Sequence, residues 1–174
     1  MSWWELIDTV VGRVLVLLSC LAIATAASGG ASGEAINPNG KTELTLKKSS
    51  GDIVRISITQ MKTGASAPYK DALLWGGDVD ELPTCVLSSM VVHERDESIF
   101  VPLSAYGDLG DVKLGSVDAT TGGFVIILHG GGTATGYDAT LMFSHGYLVS
   151  RTVRSREFPK ESNEMTTYSF QKGN

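Results

Sequence analysis

The strongest constraint on the fold is a two-residue hydrophobic period that begins near residue 41. In residues 44–58, leucine, valine and isoleucine alternate with polar side chains on both sides of a turn at residues 49–51. Successive side chains of a β-strand point to opposite faces of the sheet, so this alternation predicts strands with one buried face. Similar runs, separated by short turn sequences, continue almost to the C-terminus. The predicted fold class is all-β, a single antiparallel β-sandwich or strongly curved β-meander of about eight strands, after an N-terminal apolar helix.

The first hairpin can be predicted in register. Pairing Leu46 with Val54 places both side chains on one face of the sheet. The same register pairs Leu44 with Ile56 on that face and leaves a three-residue loop that ends in Gly51. Glycine suits this loop position because it adopts positive φ without steric cost.

A second hairpin is predicted around a three-residue loop at residues 144–146. This loop places Phe143 opposite Tyr147 and Leu141 opposite Val149, so that one face is apolar and the other polar. A two-residue loop would mix the two sets of side chains, so we predict the longer loop. We expect positive φ at the loop glycine and joint burial of a group of side chains. That group is Tyr137, Leu141, Phe143 and Val149.

The register of the second hairpin has a consequence for one charged side chain. It points Arg151 toward the apolar face, opposite Ala139. A buried guanidinium is costly unless a carboxylate or carbonyl group pairs with it. We therefore expect a carboxylate or carbonyl partner for Arg151, or a strand that leaves the core at this point.

The remaining strands are predicted from shorter runs. They span residues 86–93, 98–103, 112–117, 124–128 and 165–170. The run at 124–128 is apolar throughout and predicts a central strand buried on both faces. Residues 63–83 lack strand periodicity, and the piece at 71–75 predicts one helical turn.

The N-terminal region contains no charged residue from position 14 to position 33. Arg13 precedes an apolar run at 14–24, and the small residues Ala24-Thr25-Ala26 follow it. A basic flank, a short apolar stretch and an A-x-A site are typical of a secretory signal peptide. Two alternatives use the same residues: an uncleaved membrane helix at about 6–26, and a lipoprotein signal ending at Cys20.

Each of these alternatives exports the rest of the chain. We therefore predict a periplasmic or extracellular protein, with a membrane-anchored protein as the alternative. The domain division is residues 1–26 as signal peptide or membrane anchor, 27–40 as a flexible tether rich in small residues, and 41–174 as the all-β domain. Membrane contact is expected only through residues 3–26, and only if they are not cleaved.

Charge is unevenly distributed along the chain. The formal net charge of −5 argues against a general nucleic-acid binder. Residues 71–118 contain ten acidic residues and only two basic ones, Arg95 and Lys113. Such an acidic belt can orient a basic protein partner, but a solvated surface that keeps the protein soluble is the favoured interpretation. The predicted partner-binding residues are Asp78, Asp80, Glu81, Glu94, Asp96, Glu97, Tyr106 and Asp108.

No catalytic motif stands out. The string at residues 129–132, His-Gly-Gly-Gly, is similar to the oxyanion-hole sequence of lipases and esterases. The chain lacks the G-x-S-x-G nucleophile motif, so we interpret these glycines as a turn between strands. The three histidines are far apart in sequence, Cys85 has the flanks of a buried small side chain, and the acidic cluster at 78–81 lacks EF-hand spacing. We predict no cofactor and no metal site.

These observations lead to a function class. The favoured hypothesis is an exported, non-enzymatic β-domain that binds another macromolecule in the cell envelope, with an inhibitor or immunity-type protein as the best fit. Its protein partner is unidentified. One alternative is a membrane-anchored structural or accessory envelope protein. The other is a hydrolase whose site is dispersed over several loops.

Overall fold

The computed structural model describes residues 33–64, 74–77, 82–160 and 163–170. The N-terminal apolar helix and the signal or anchor at 1–26 lie outside these residues, as do the acidic residues 78–81. In the part of the chain that is described, no helix is both long enough and apolar enough to cross a bilayer.

The described part of the protein is all-β and forms two antiparallel sheets, which confirms the predicted class. The described residues contain ten strands: β1 (Glu34–Ala35), β2 (Gly40–Lys47), β3 (Ile53–Lys62), β4 (Cys85–Glu94), β5 (Glu97–Ile99), β6 (Val112–Thr120), β7 (Gly123–Gly130), β8 (Tyr137–Ser144), β9 (Tyr147–Ser155) and β10 (Asn163–Thr167). One sheet has the order β1-β6-β7-β8-β9-β10, and the other has the order β2-β3-β4-β5.

The first hairpin has the predicted register. Leu46 lies opposite Val54 and Leu44 lies opposite Ile56 in the β2–β3 pair. Gly51 has a φ of 90°, the positive value that the loop was expected to require. The alternation of apolar and polar residues therefore sufficed to align these two strands.

The second hairpin does not have the predicted register. Ser144 pairs with Tyr147, so the connection is the two-residue turn that the sequence argued against. Both turn residues have positive φ, 51° at His145 and 80° at Gly146. Paired positive φ values belong to the type I′ turn, whose twist matches that of the strands it joins.

A β-bulge explains why the shorter turn is compatible with a clean apolar face. Phe143 pairs with Leu148 and Met142 pairs with Ser150, so Val149 is the extra residue of β9. An extra residue changes which side chains face inward from that point on. Leu148 is therefore fully buried in the place expected for Val149, which is half-buried.

The two sheets share one hydrophobic cluster. Ile56 and Ile58 enter it from the four-stranded sheet, and Ile126 and Leu141 enter it from the six-stranded sheet, each with no exposed surface. Burial of one such side chain stabilises a fold by about 1.5–3 kcal/mol. The cluster thus holds the two sheets together.

Strand β7 is central within its sheet but is not buried on both faces. Phe124, Ile126 and Leu128 point into the core, whereas Val125 and Ile127 are half-buried on the opposite face. The prediction of double burial is wrong because only one face of this sheet packs against the other sheet. Apolar content alone does not distinguish one covered face from two.

Several element boundaries also differ from expectation. Residues 33–40, which the sequence assigned to the tether, contribute β1, and Ile36 after it is 95% buried in the core, with 5% of its surface exposed. The expected strand at 98–103 ends at Ile99, since a short 3₁₀ turn at Leu103–Ala105 follows. At the described end of the expected helical turn, Trp75 instead forms a parallel bridge with Leu109.

Candidate functional site

An open cavity of about 710 Å³ is lined by residues of both sheets and of the segment that precedes β6. Its wall is largely apolar, with Met61, Leu74, Leu87 and Leu103 as the large side chains. The charged side chains that border the cavity are those of Arg151, Asp108 and Glu164. The cavity therefore combines a hydrophobic wall with a small number of charged and hydroxyl groups.

Arg151 lies on the inward face of β9 and is the largest fully buried side chain of the described residues, with 2% of its surface exposed. Its Nη2 lies 2.8 Å from Oδ1 and 2.6 Å from Oδ2 of Asp108. Its Nη1 donates to Oε1 of Glu164. The expectation that an inward arginine needs a carboxylate partner is confirmed, although Arg151 lies opposite Leu141 instead of Ala139.

One donor of this arginine has no partner among the residues that the structure describes. The Nε of Arg151 is buried and makes no hydrogen bond with any of them. A buried polar group left without a partner costs about 1–3 kcal/mol, so such groups are rare in native proteins. The guanidinium that borders the cavity is thus only partly satisfied by the protein.

The backbone places Asp108 in the cavity through a tight loop. This loop follows the 3₁₀ turn, and the amide of Gly107 donates to the carbonyl of Leu103 at 2.7 Å. The carbonyl of Asp108 in turn accepts from the amide of Trp75 at 2.9 Å. The loop is held at both ends, so the Asp108 carboxylate is held beside Arg151.

Glu164 reaches the cavity from the edge strand β10, where it lies opposite Val153 of β9. Its Oε2 accepts a hydrogen bond from Nε1 of Trp75 at 3.2 Å, while Oε1 accepts from Arg151. The Trp75 ring also contacts the ring of Tyr137, with centroids 5.9 Å apart. Trp75 therefore ties the edge strand to the core beside the cavity.

The charges at the cavity do not balance. Asp108 and Glu164 together carry two carboxylates, and Arg151 supplies one guanidinium. Burial raises the pKa of Asp108 above its usual value, even though Arg151 lowers it through its charge and hydrogen bonds, while Glu164 adds to the increase. The pKa is raised because Arg151 offsets only part of the cost of burying the Asp108 carboxylate.

A second polar cluster lies on the outer face of the six-stranded sheet. Nδ1 of His129 lies 2.7 Å from Oδ1 of Asp138, its neighbour across the β7–β8 pair. Nε of Arg156 is 3.6 Å from the same carboxylate oxygen. Among the described residues, no serine, threonine or cysteine is hydrogen-bonded to His129, so the nucleophile of a catalytic triad is missing at this histidine.

The glycine loop after His129 uses its amides internally. The amide of Gly131 donates to the carbonyl of Asp111 at 3.1 Å, and the amide of Gly132 donates to Oγ1 of Thr135 at 3.1 Å. An oxyanion hole requires donors that are free to reach a substrate. With a φ of 75° at Gly131, the loop has the geometry of the turn that we expected between two strands.

Cys85 is buried at the start of β4 and belongs to a hydrogen-bonded group with Asp111 and Thr84. Its Sγ lies 3.3 Å from Oδ1 of Asp111, which also accepts from the hydroxyl of Thr84 at 2.6 Å. Burial raises the pKa of the Cys85 thiol, and the neighbouring Asp111 raises it further. Burial by itself would raise the pKa of Asp111. The hydrogen bonds from Thr84 and Cys85 lower that pKa by more, so the net shift is downward.

Five of the residues predicted to bind a partner are described, and these five do not form a single surface. Glu94 pairs with Lys48, and Asp96 and Glu97 are exposed in the same β4–β5 region. Glu94 and Glu97 border a separate cleft of about 330 Å³ together with His145.

Further along the chain, Tyr106 is buried in the core with 9% of its surface exposed, and Asp108 pairs with Arg151. Asp78, Asp80 and Glu81 lie outside the described residues.

Sequence reasoning found part of the cavity. The period-two pattern showed that Arg151 points inward, and Asp108 was among the predicted partner-binding residues. Glu164 and Trp75 were missed as members of this group, because neither stands at a motif spacing that links it to Arg151. In the parts of the chain that the structure describes, no three His, Cys, Asp or Glu side chains come together in a way that could hold a metal ion.

Comparison of the chain with known protein families, with curated proteins and with solved structures finds no match.

Proposed function

We propose that the protein is an exported, non-enzymatic binding domain and that the cavity beside Arg151 is its ligand site. The observation that carries this proposal is the buried guanidinium of Arg151, which borders the cavity and whose Nε has no partner among the described residues. A ligand with an apolar body and a polar head group would complement the wall and the charged group together.

The size and the composition of the cavity support this proposal. Ligand sites in proteins are concave, enclose roughly 300–1,000 Å³ and are lined mainly by apolar side chains with a few convergent polar groups. The cavity, at about 710 Å³, has these properties. Met61 and Leu103 are 48% and 64% exposed, so apolar surface remains uncovered at its rim. Covering that surface with an apolar ligand would contribute about 25 cal/mol for each Å² buried.

Export and attachment are further parts of the proposal. They rest on the N-terminal sequence, where an apolar run follows Arg13 and a small-residue site ends at Ala26. Retention of residues 1–26 would make the same domain a membrane-anchored envelope protein. Mass determination of the N-terminus of the purified protein distinguishes the two forms.

The experiment that tests the ligand site uses N-phenyl-1-naphthylamine, a neutral dye that fluoresces in apolar sites, and the full chain. We expect saturable binding that is lost in Met61→Lys, because the new ammonium would lie at the apolar rim. Met142→Lys is the matched control, since Met142 is 40% exposed but lies on β8 outside the cavity. Absence of saturable binding, or an equal loss in both variants, would overturn the proposal.

A macromolecular partner is the second candidate function. Three exposed aromatic side chains come together: the ring centroids of Phe100 and Phe170 lie 6.2 Å apart, and those of Tyr147 and Phe170 lie 5.7 Å apart. Aromatic side chains are enriched at protein interfaces, and nearby Asp96 and Glu97 would favour a basic partner. Capture from envelope extracts should weaken with rising salt and with Phe100→Ser. If the captured partner binds as well at high salt and to the Phe100→Ser variant, a partner site at these aromatic residues is excluded.

A further inference from the structure

We propose that the ligand of the Arg151 cavity is a small uncharged amphiphile, an aliphatic chain whose head group is a carbonyl that accepts a hydrogen bond. This inference rests on the proposed ligand-binding function. It adds the charge, the hydrogen-bonding role and the chemical class of the head group.

The hydrogen-bonding role of the head group follows from the donors of Arg151. Its Nη1 donates to Glu164, and its Nη2 donates to Asp108. The Nε is buried and has no partner among the described residues. Because a guanidinium carries only donors, the group that satisfies this Nε must be an acceptor. A carbonyl oxygen can fill that role, whereas an ammonium group or a bare alkane cannot.

The charge of the head group follows from the two carboxylates. Asp108 and Glu164 already share the guanidinium of Arg151, which is the only cationic side chain among the described residues that border the cavity. An anionic head group would therefore be buried beside negative charge and without a cation of its own. An uncharged oxygen accepts the same hydrogen bond without that cost.

A neighbouring hydroxyl and the wall also fit an uncharged carbonyl compound. Thr166 borders the cavity and lies opposite Arg151 across the β9–β10 pair, so its hydroxyl can donate a second hydrogen bond to the same oxygen. A ketone or ester brings no donor of its own that would need a partner inside the cavity. Met61, Leu87 and Leu103 supply apolar surface for the chain, and each buried methylene strengthens binding by roughly fourfold.

The Nε of Arg151 is enclosed, so a carbonyl oxygen reaches it only when neighbouring side chains shift. The rim of the cavity leaves room for such a shift, because Met61 and Leu103 are 48% and 64% exposed. Methionine is also unbranched and adapts readily to a new neighbour. Binding should therefore change the surroundings of this Nε, which is a direct and measurable consequence.

The first experiment measures how binding responds to loss of the Nε donor. The ligands 2-octanone, 1-octene, octylamine and octanoate each compete with N-phenyl-1-naphthylamine for the full chain at pH 7. We expect 2-octanone to bind roughly tenfold more tightly than octylamine and octanoate. Arg151→Lys keeps the charge but removes Nε, so the affinity for 2-octanone relative to 1-octene should fall by roughly tenfold. Arg154→Lys, at an exposed position of the same strand, is the matched control and should leave that ratio unchanged.

The second experiment does not depend on the stability of a variant. In the full chain labelled with nitrogen-15 arginine, 2-octanone should move the Nε–H resonance of Arg151 downfield, as a new hydrogen bond does. The resonance of Arg154 should stay in place, and 1-octene should produce no such downfield shift.

The outcomes separate the two proposals. Tightest binding of octylamine or octanoate would overturn the head-group inference and leave the ligand site standing. An Nε–H resonance of Arg151 that stays in place while 2-octanone binds would do the same. Failure of the dye and of all four ligands to bind would overturn both.

Discussion

Arg151 and Asp108 are 43 residues apart in sequence, yet Nη2 of Arg151 lies 2.6 and 2.8 Å from the two carboxylate oxygens of Asp108. The contact joins strand β9 to the loop that precedes β6, so it connects parts of the fold that no single hairpin unites. Because Arg151 is 2% exposed, removing one side of this contact would leave charge in a largely apolar region.

Arg151→Met should destabilise the fold by about 3–5 kcal/mol at pH 7, because it leaves two carboxylates without their cation. Arg154→Met is the matched control, since Arg154 is exposed on the same strand, and it should change the free energy of unfolding by no more than about 0.5 kcal/mol. Urea denaturation followed by circular dichroism measures both variants. Similar losses in the two would show that the buried ion cluster has no special role in stability.

Arg95→Gln should raise the pKa of Asp52. The hydrogen bonds from Arg95, followed by the one from Ser50, lower that pKa to about 2 from 3.8. A pKa that is lower in the folded protein contributes stability above pH 3.8, and this stability is lost as the pH falls toward 2. Arg95→Gln should therefore shift the titration toward 3.8 and diminish the acid-dependent loss of stability.

The carboxyl chemical shift in an NMR titration measures this change directly. Arg55→Gln serves as the control because Arg55 is an exposed arginine on the adjoining strand β3. It should leave the pKa of Asp52 near 2. A value near 2 in Arg95→Gln as well would contradict the assignment of the shift to Arg95.

Gly51→Ala and Gly131→Ala separate two costs of adding a Cβ atom. At Gly51, where φ is 90°, nothing lies within 4 Å of the added carbon, so only the left-handed conformation is penalised, by about 1–2 kcal/mol. At Gly131, where φ is 75°, the added carbon would lie 2.2 Å from the carbonyl oxygen of Thr135. Overpacking adds about 1–3 kcal/mol, so a total loss of about 2–5 kcal/mol is expected.

Thermal and chemical denaturation of the two alanine variants provides the comparison. If Gly131→Ala costs no more than Gly51→Ala, the loop after His129 is not held in the turn geometry described above. An esterase activity that Gly131→Ala abolished without this loss of stability would favour the hydrolase alternative.

Cys85 should react with a thiol reagent only as fast as the protein unfolds. Its side chain is buried, and burial together with Asp111 raises the pKa of its thiol, so little thiolate is present and little is accessible. The measurement uses Cys20→Ser in the full chain and 5,5′-dithiobis(2-nitrobenzoate). A cysteine introduced at exposed Ser169, with Cys20→Ser and Cys85→Ala, is the reactive control. Equal rates for the two thiols in the folded protein would contradict the buried assignment.

The local sequence pattern determined those features of the fold that depend only on residues close together in the sequence, such as hairpin register and the face on which a side chain lies. The alternation through Leu44 and Ile56 aligned the first hairpin, because strand side chains alternate between faces with a period of two. The same argument placed Arg151 on the inner face of β9 before its partners were known. The apolar run of β7 showed the limit of this argument. A strand covered on one face and a strand covered on both faces can have the same apolar sequence.

The tertiary structure decided what local pattern does not encode. The bulge at Val149 allows a two-residue turn and an apolar face to coexist, a combination that becomes evident only once both strands are paired. The pairing of Arg151 with Asp108 and Glu164 depends on how a loop and an edge strand pack against β9. By itself, then, the sequence determined an all-β chain with an inward arginine. The packing of separate elements chose the carboxylates that face it, because pairing over long sequence separations depends on the position of every intervening strand.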